Sequence, residues 1–272
     1  MPGTIYLVAT PIGNLEDITL RALRVLREAD LIACEDTRQT RKLLDHYEIR
    51  KPLVSYHEHN EAARAEELVE KAAAGSTIAV VTDAGMPGIS DPGFRIVSRA
   101  LARGVPVAPV PGAVAIEAAL AASGLPTDAF RFGGFLPARQ GQRRKALEAL
   151  AAESATLVFY EAPHRIVDTL EDVIAVLGSR PVVVARELTK VHEEFLRGRA
   201  DEVLAELRRR PAVKGEITLL IGRGEERAAP GGSIRERVGK LMREQKLERM
   251  AALKQAAREH GISKREAYKQ LQ

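Results

Sequence analysis

The sequence predicts an α/β protein with two α/β domains and a small helical module at its C-terminal end. Three observations support this fold class. Short β-branched runs of strand length alternate with segments of helical periodicity, and the alternation resumes further along with shorter helices. A polar, glycine-rich stretch at 222–233 then separates this region from a final segment in which only helical periodicity is found.

The first α/β domain is predicted to span residues 1–124. Its expected strands are almost wholly apolar, which is typical of a parallel sheet covered by helices on both faces. Before the last strand, Phe94, Val97 and Leu101 share a helical face, and we expect Ser90 or Asp91 to cap that helix. The predicted strands are 4–9, 31–35, 53–56, 78–82 and 107–110.

A second α/β domain is predicted at 125–224, after a turn-rich boundary at 123–128. Its helices are shorter, and a hairpin is expected around Val191 because two strand-like runs flank that residue closely. The predicted strands are 130–135, 157–160, 182–186, 194–197 and 217–221.

The C-terminal module, residues 233–272, is predicted to form helices at 234–244, 249–259 and 264–271. It contains eleven Lys and Arg against five Asp and Glu, whereas the rest of the chain is slightly acidic and the whole chain carries +4. Such an asymmetry indicates a polyanionic partner, and His260–Gly261 followed by Ser263 resembles a helix-turn-helix signal. The alternative is a solvated amphipathic helix pair with a basic outer face.

Composition restricts the function classes further. A hydrophobic fraction of 45% in 272 residues indicates a globular protein, and the absence of a long uninterrupted apolar run favours a cytoplasmic protein without membrane contact. The one cysteine, Cys34, allows no intrachain disulfide, and the six histidines lack metal-ligand spacing. We therefore expect no metal site.

The distinctive loops follow predicted strands, where ligands bind in open α/β sheets. The longest, 81–93, combines glycines, prolines and carboxylates, so its amides are available to a ligand while its backbone is stiff. Neither G-x-x-x-x-G-K-[ST] nor a G-x-G-x-x-G after the first strand is present, which argues against a nucleoside triphosphate. The other loops are 9–15, 35–38, 111–112, 159–165, 185–190 and 214–216.

In order and spacing, these seven motifs resemble the tetrapyrrole-methylase superfamily. They are most similar to its ribosomal RNA branch, which methylates a cytidine ribose 2′-hydroxyl in 16S rRNA of the small ribosomal subunit. The resemblance covers residues 4 to about 222, and the basic tail resembles the C-terminal extension of that branch. It implies a homodimer that binds S-adenosylmethionine in a cleft between the two α/β domains.

By this resemblance, the cofactor contacts a set of loop residues from both domains. Asp83 could accept hydrogen bonds from cofactor donors, and its charge suits a sulfonium cation. Where many relatives carry Ser after Pro-Gly, this chain has alanine and valine, so only backbone contact is expected there. The residues implied are Pro11, Asp83, Ala84, Gly85, Met86, Pro87, Ala113, Val114, Ala115, Tyr160, Glu161, Leu188, Gly215, Glu216 and Ile217.

A ribose hydroxyl is a weak nucleophile while protonated, so a base or a cation that stabilises the alkoxide would help methyl transfer. The candidates are Glu35, Asp36, Glu161, His164, Glu187 and Lys190. Structural alternatives stand beside them: Asp36 could cap a helix, Glu187 could pair with Lys190, and His164 could begin a helix.

Basic residues near these loops are candidates for phosphate contacts, since proteins position RNA mostly through its backbone. They are Arg38, Arg41, Lys42, Arg139, Arg143, Arg144 and Lys145. Solvated helix faces are the alternative. Two other functions also remain open: a small-molecule tetrapyrrole methylase, which the fold permits, and a ribosome-binding relative without catalysis.

Overall fold

The computed structural model describes residues 2–224, 233–244, 247–259 and 264–271. Met1–Arg223 form one compact unit and Gly224–Gln272 form a second. The first unit contains two five-stranded sheets.

The first sheet is fully parallel, with strand order β3-β2-β4-β1-β5. Its strands are β1 (Ile5–Val8), β2 (Leu31–Cys34), β3 (Leu53–Ser55), β4 (Ile78–Val81) and β5 (Val107–Val110). The helices of this region are α1 (Leu20–Glu28), α2 (Thr37–His46), α3 (Glu61–Ala73), α4 (Phe94–Ala102) and α5 (Ala115–Ser123), with a 3₁₀ turn at Leu15–Asp17.

Successive side chains of β4 enter two different cores, as the pleat of a strand requires. Ile78 and Val80 pack in a cluster with Leu68 of α3, whereas Ala79 and Val81 pack in a cluster with Leu26 of α1. Both faces of the sheet are therefore covered by helices, which confirms the parallel sheet predicted from its apolar strands.

The second sheet is mixed, with order β6-β7-β10-β8-β9. Only β6 and β7 pair in parallel, and the remaining neighbours are antiparallel. Its strands are β6 (Phe130–Phe135), β7 (Thr156–Glu161), β8 (Pro181–Arg186), β9 (Glu194–Arg199) and β10 (Ile217–Ile221). The helices are α6 (Gln140–Ala149), α7 (Ile166–Leu177) and α8 (Ala200–Arg208). The β8-β9 hairpin confirms the one predicted around Val191.

Helix α5 connects the two sheets. It follows the last strand of the first sheet, yet its Ile116 and Leu120 pack with Val183 and Leu220 of the second sheet. Ile12, from the loop after β1, joins the same core. The loops at the carboxyl ends of the first sheet are thereby held against the second sheet.

The sequence prediction for the N-cap of α4 was wrong. The residue before the helix is Gly93, and no side chain caps its first turn, so neither Ser90 nor Asp91 is the N-cap. Phe94 and Leu101 are 78% and 64% exposed, while Ile96 and Ala100 are fully buried. The helix thus has apolar residues on two sides, and its buried side packs against α3.

In the second unit, α9 (Ile234–Glu244), α10 (Arg249–Glu259) and α11 (Lys264–Leu271) occupy the predicted helical segments. Ile234, Val238 and Leu241 pack with Leu253 and Ala256 in a small apolar core. Residues 225–232 of the linker predicted at 222–233, and residues 260–263 of the predicted helix-turn-helix signal, lie outside the described residues.

Candidate functional site

A cavity of about 340 Å³ lies where the loops after β1, β4 and β5 meet the second sheet. Its wall is mostly apolar, with a few carboxylates and a tyrosine, which is the usual composition of a small-molecule site. The lining residues are Ile12, Ala84, Gly85, Met86, Ile89, Ser90, Asp91, Val114, Ala115, Phe135, Tyr160, Glu161, Ala162, Pro163, Leu188, Gly215, Glu216, Ile217 and Thr218.

Two loops of the first sheet are tied together at the cavity floor. The Thr10 amide donates to the Gly85 carbonyl at 2.9 Å, and the Gly85 amide donates to the Thr10 carbonyl at 3.1 Å. The buried Thr10 hydroxyl also donates to the Thr82 carbonyl at 3.2 Å. The segment Ala84–Met86 therefore has a fixed backbone beneath the cavity, as a binding loop on a rigid scaffold requires.

The second sheet contributes an aromatic group to the wall. The Tyr160 ring lies 5.1 Å from the Phe132 ring and 5.7 Å from the Phe135 ring, measured between centroids. Burial raises the pKa of the Tyr160 phenol to about 12, and the nearby Asp91 carboxylate adds to this increase. Phe135 remains 60% exposed although it lines the cavity, so an apolar ring faces solvent at the opening.

Glu161 is a buried carboxylate that is fully engaged by its own neighbours. It accepts from the Thr169 hydroxyl at 2.7 Å and from the Ala162 amide at 2.8 Å. Arg165 lies 3.3 Å from its Oε1 atom and also donates to the Leu136 carbonyl at 2.6 Å. Glu161 thus orients the end of β7 at the cavity wall.

The β8-β9 loop forms a second ionic cluster beside the cavity. Lys190 Nζ lies 2.9 Å from both Glu187 and Glu216, and the Glu216 amide donates to Glu187 at 3.0 Å. Lys190 also crosses the first loop, because a Cβ on Gly13 would lie 2.5 Å from its Cγ atom. The cluster therefore joins loops from both sheets along one side of the cavity.

These ion pairs fix the charges of the cluster. Hydrogen bonds from Lys190 and from the Glu216 amide lower the pKa of Glu187. Burial opposes the charged form of Lys190, yet its hydrogen bonds to the two glutamates outweigh this and raise its pKa. Both groups are charged near neutral pH, which suits a structural contact better than proton transfer.

Acidic side chains also gather at the carboxyl ends of β2 and β4. Asp83 accepts from the Asp36 amide at 3.1 Å, and Asp36 binds the Arg38 side chain at 2.7 Å. Arg38 lowers the pKa of Asp36 to about 2, whereas burial and the charge of Asp83 raise that of Glu35. As the sequence suggested, Asp36 also caps α2, since its side chain accepts from the Arg38 amide.

The cavity brings together eleven of the fifteen residues that the resemblance assigned to the cofactor. Pro11, Asp83, Pro87 and Ala113 adjoin lining residues but do not line it themselves. Sequence reasoning missed several others, although most neighbour a named residue: Ile12, Ile89, Ser90, Asp91, Phe135, Ala162, Pro163 and Thr218. Ile89–Asp91 lie in the distinctive loop after β4, and that position was the available signal.

Among the candidate catalytic residues, only Glu161 lines the cavity. Glu187 and Lys190 lie in the adjoining ionic cluster, and Glu35 and Asp36 lie at the acidic edge of the first sheet. His164 is exposed in the turn between β7 and α7. The six candidates therefore do not form a single catalytic group.

The candidate phosphate-binding residues divide between two helices, and one of them must be removed from the set. Arg41 and Lys42 are exposed on α2, and Arg139 and Lys145 are exposed at α6. Arg38 is exposed but pairs with Asp36, and Arg144 is half-exposed with its Nε atom 2.6 Å from Asp172. Arg143 is buried in an ion pair with Asp172 at 2.7 Å, so it cannot reach a phosphate.

Within the described part of the chain, no group of three or more His, Cys, Asp or Glu side chains is placed to hold a metal ion. The same residues include no helix long and apolar enough to cross a membrane.

Residues 4–204 match the family of Tetrapyrrole (Corrin/Porphyrin) Methylases. Over 276 residues, the chain is 49% identical to the ribosomal RNA small subunit methyltransferase I of Halalkalibacterium halodurans, covering 98% of this chain and 93% of that protein. The chain belongs to the ribosomal RNA small subunit methyltransferase I family. The Escherichia coli O157:H7 member is 47% identical over 275 residues, covering 98% of this chain and 94% of its own length. The resemblance seen in the seven motifs is thereby confirmed.

Solved structures of other tetrapyrrole methylases share the fold of this family member. Uroporphyrin-III C-methyl transferase from Thermus thermophilus, solved in complex with S-adenyl homocysteine, is similar at a TM-score of 0.56 and 24% identity. The similarity covers 80% of this chain and 97% of that one. The predicted fold class, two α/β sheets with helices of the tetrapyrrole-methylase type, is confirmed.

Proposed function

We propose that this chain transfers a methyl group from S-adenosylmethionine to the 2′-hydroxyl of a cytidine ribose in 16S rRNA of the small ribosomal subunit. The main support is the cavity. Loops that are distant in sequence meet there, and they contain most of the residues expected to hold the cofactor. The names of relatives at close to half identity support RNA as the substrate.

The residues around the cavity fit such a cofactor. Apolar side chains such as Ile12, Val114 and Ile217 can enclose its adenosine. The amides of Ala84 and Met86, on either side of Gly85 with its bonds to Thr10, can donate to its polar groups. Carboxylates nearby suit a positive charge. When bound, S-adenosylmethionine supplies an electrophilic methyl group on a sulfonium centre.

The contribution of the protein to this reaction is mainly positional. Transfer between two bound partners needs little covalent help from the enzyme, so alignment of the nucleophile supplies much of the acceleration. The loops that form the cavity are tied by backbone hydrogen bonds and by the Lys190 cluster, which limits their movement. The exposed Phe135 ring at the opening can stack on a nucleobase, as aromatic side chains do in single-stranded RNA recognition.

The proposal also includes a homodimer and a cytoplasmic location. Support for a second copy comes from the resemblance and from the exposed Phe94 and Leu101 on α4, whose large apolar side chains are suited to an interface. Assembled small subunits are cytoplasmic, so the proposed substrate implies that location.

The direct test is transfer of tritiated methyl from S-adenosylmethionine to small ribosomal subunits that lack the modification, followed by nuclease digestion and nucleoside analysis. We expect the label in 2′-O-methylcytidine. Labelling of a tetrapyrrole but not of subunits would replace the RNA proposal with the small-molecule alternative. Calorimetry that shows no cofactor binding would favour a ribosome-binding protein without catalysis.

The basic C-terminal module is proposed to contact RNA phosphates. Its described exposed cations include Arg243, Arg249 and Lys254, whereas every residue that lines the cavity lies between Ile12 and Thr218. We therefore expect RNA contacts of the module to be separable from cofactor binding.

Changing Arg243, Arg249 and Lys254 together to glutamine should weaken subunit binding and reduce the slope of log affinity against log salt by roughly 2–3. Cofactor affinity, measured by calorimetry, should be unchanged. The matched control changes the exposed Arg21, Arg24 and Arg27 of α1 to glutamine. An equal loss in both variants would assign the effect to general charge instead of to the module.

A further inference from the structure

The loop between β4 and α4 presents a carboxylate to the cavity in a constrained conformation. Its 88–93 segment nearly closes on itself, since the Gly93 Cα atom lies within 4 Å of a Cβ built on Gly88. Ser90 has a left-handed backbone with a φ of 65°, and Pro92 restricts the residue before it. Asp91, between them, is partly buried and lines the cavity.

Three carboxylates line this cavity, and their surroundings differ. Glu161 is held by Thr169, the Ala162 amide and Arg165, and Glu216 is paired with Lys190. For Asp91, the described residues provide no hydrogen-bond donor and no cation within contact distance. A carboxylate that is already ion-paired is a poor proton acceptor, so the unpaired one is the better base.

The titratable groups that face Asp91 come from both sheets. Glu35 follows β2, Asp83 follows β4, and Tyr160 lies on β7. Burial raises the pKa of Asp91 to about 6, and the charges of Glu35 and Asp83 add to the increase. A base with such a pKa is mostly ionised at neutral pH and still binds a proton well, which is the favourable range for general-base catalysis.

The inference rests on the proposed function, in which a ribose 2′-hydroxyl lies beside bound S-adenosylmethionine. We propose that Asp91 is the catalytic base that accepts the proton of the 2′-hydroxyl as its oxygen takes the methyl group. The O–H bond breaks, and its proton passes to the Asp91 carboxylate. The new O–C bond forms as the methyl C–S bond breaks, and that electron pair stays on sulfur, leaving neutral S-adenosylhomocysteine.

The test compares Asp91→Asn with wild type in single-turnover methyl transfer to unmodified small subunits, with cofactor affinity measured by calorimetry. The amide has the shape of the carboxylate but cannot accept the proton. We expect the rate at neutral pH to fall roughly 10²- to 10⁴-fold, with cofactor affinity changed by less than about tenfold. Asp45→Asn, at the far end of α2 and exposed, is the matched control and should match wild type.

The pH profile separates a base from a structural residue. The wild-type rate should fall as pH drops below about 6, because protonated Asp91 cannot accept a proton. Asp91→Asn should lose this acid limb, and Glu35→Gln should move it to lower pH by removing a repelling charge. A flat wild-type profile, or an acid limb that persists in Asp91→Asn, would overturn the assignment.

A measurement without substrate completes the test. In carboxyl-¹³C-labelled protein, the resonance absent from Asp91→Asn should titrate near pH 6 and shift down in Glu35→Gln. Wild type that binds cofactor yet methylates no subunit would refute the proposed function and the base with it. Active wild type with an equally active Asp91→Asn would refute the base alone, and loss of cofactor binding in that variant would make Asp91 a cofactor ligand.

Discussion

Replacing Asp172 with alanine should lower the free energy of unfolding by about 3–5 kcal/mol, the usual cost of leaving a buried charge unpaired. Asp172 is fully buried on α7, and its Oδ2 atom lies 2.7 Å from the side chain of Arg143, which is also buried. Gln140 and Arg144 donate to its Oδ1 atom. This cluster joins α6 to α7, and without the carboxylate the described residues would offer the Arg143 guanidinium no counter-charge.

Urea unfolding measures this effect, and the exposed Asp168 in the first turn of α7 offers a control on the same helix. Asp168→Ala should cost less than about 1 kcal/mol, because it loses only its interaction with the helix dipole. Adding Arg143→Met to Asp172→Ala should restore part of the stability by removing the unpaired charge. Equal stabilities for the two aspartate variants would show that the ion pair contributes nothing net.

The same ion pair shows why the role of Arg143 could not be predicted from the sequence. Arg143, Arg144 and Lys145 form a basic run, and a run of this kind is typical of both phosphate sites and solvated helix faces. Burial of one member of the run depends on its partner on the neighbouring helix α7. That partner, Asp172, lies 29 residues further along the chain than Arg143. No local pattern connects the two residues, so the buried member of the run could not be identified from the sequence.

The strands and the main loops could be predicted, because their signals are local. Apolar β-branched runs such as Ile78–Val81 form strands nearly where expected, and the tail helices match their periodicity. Strand direction in the second sheet could not be predicted in this way. The antiparallel pairing of β10 with β7 and β8 depends on connections that cross the sheet, and no local signal records it. Sequence alone predicted the α/β class there but not the mixed sheet.

The cofactor loops could be predicted from the sequence because glycine and proline mark them. The candidate base, Asp91, could not be predicted from the sequence. The sequence predicts Asp91 or Ser90 as a helix cap, since both stand before an amphipathic segment and beside a proline-containing turn. Gly93 takes the cap position instead, and the loop turns Asp91 toward the cavity. The lack of a partner for this carboxylate among the described residues is a property of the packed structure that residue spacing does not reveal.

Substituting Gly93 with alanine should slow methyl transfer by roughly a hundredfold, the cost of displacing a catalytic group by about 1 Å. A Cβ at this position would lie 2.7 Å from the Gly88 amide nitrogen and 2.8 Å from the Gly88 Cα atom. Both are backbone atoms that cannot rotate away, so the two ends of the 88–93 loop must separate. Asp91 and Ser90 would move with the loop, away from the hydroxyl that the base must reach.

Single-turnover methyl transfer measures the effect, and Gly141→Ala on α6 is the matched control. Beyond its chain neighbours and the backbone of its own helix, no atom of the described residues lies within 4 Å of the added Cβ. That variant should keep the wild-type rate and gain up to about 1 kcal/mol in unfolding free energy, since alanine favours a helix over glycine. If Gly93→Ala keeps the wild-type rate while remaining folded, the closed loop does not position Asp91. If Gly93→Ala is slowed but keeps the acid limb of the wild-type pH profile, the loss of rate comes from misalignment of Asp91, which still acts as the base.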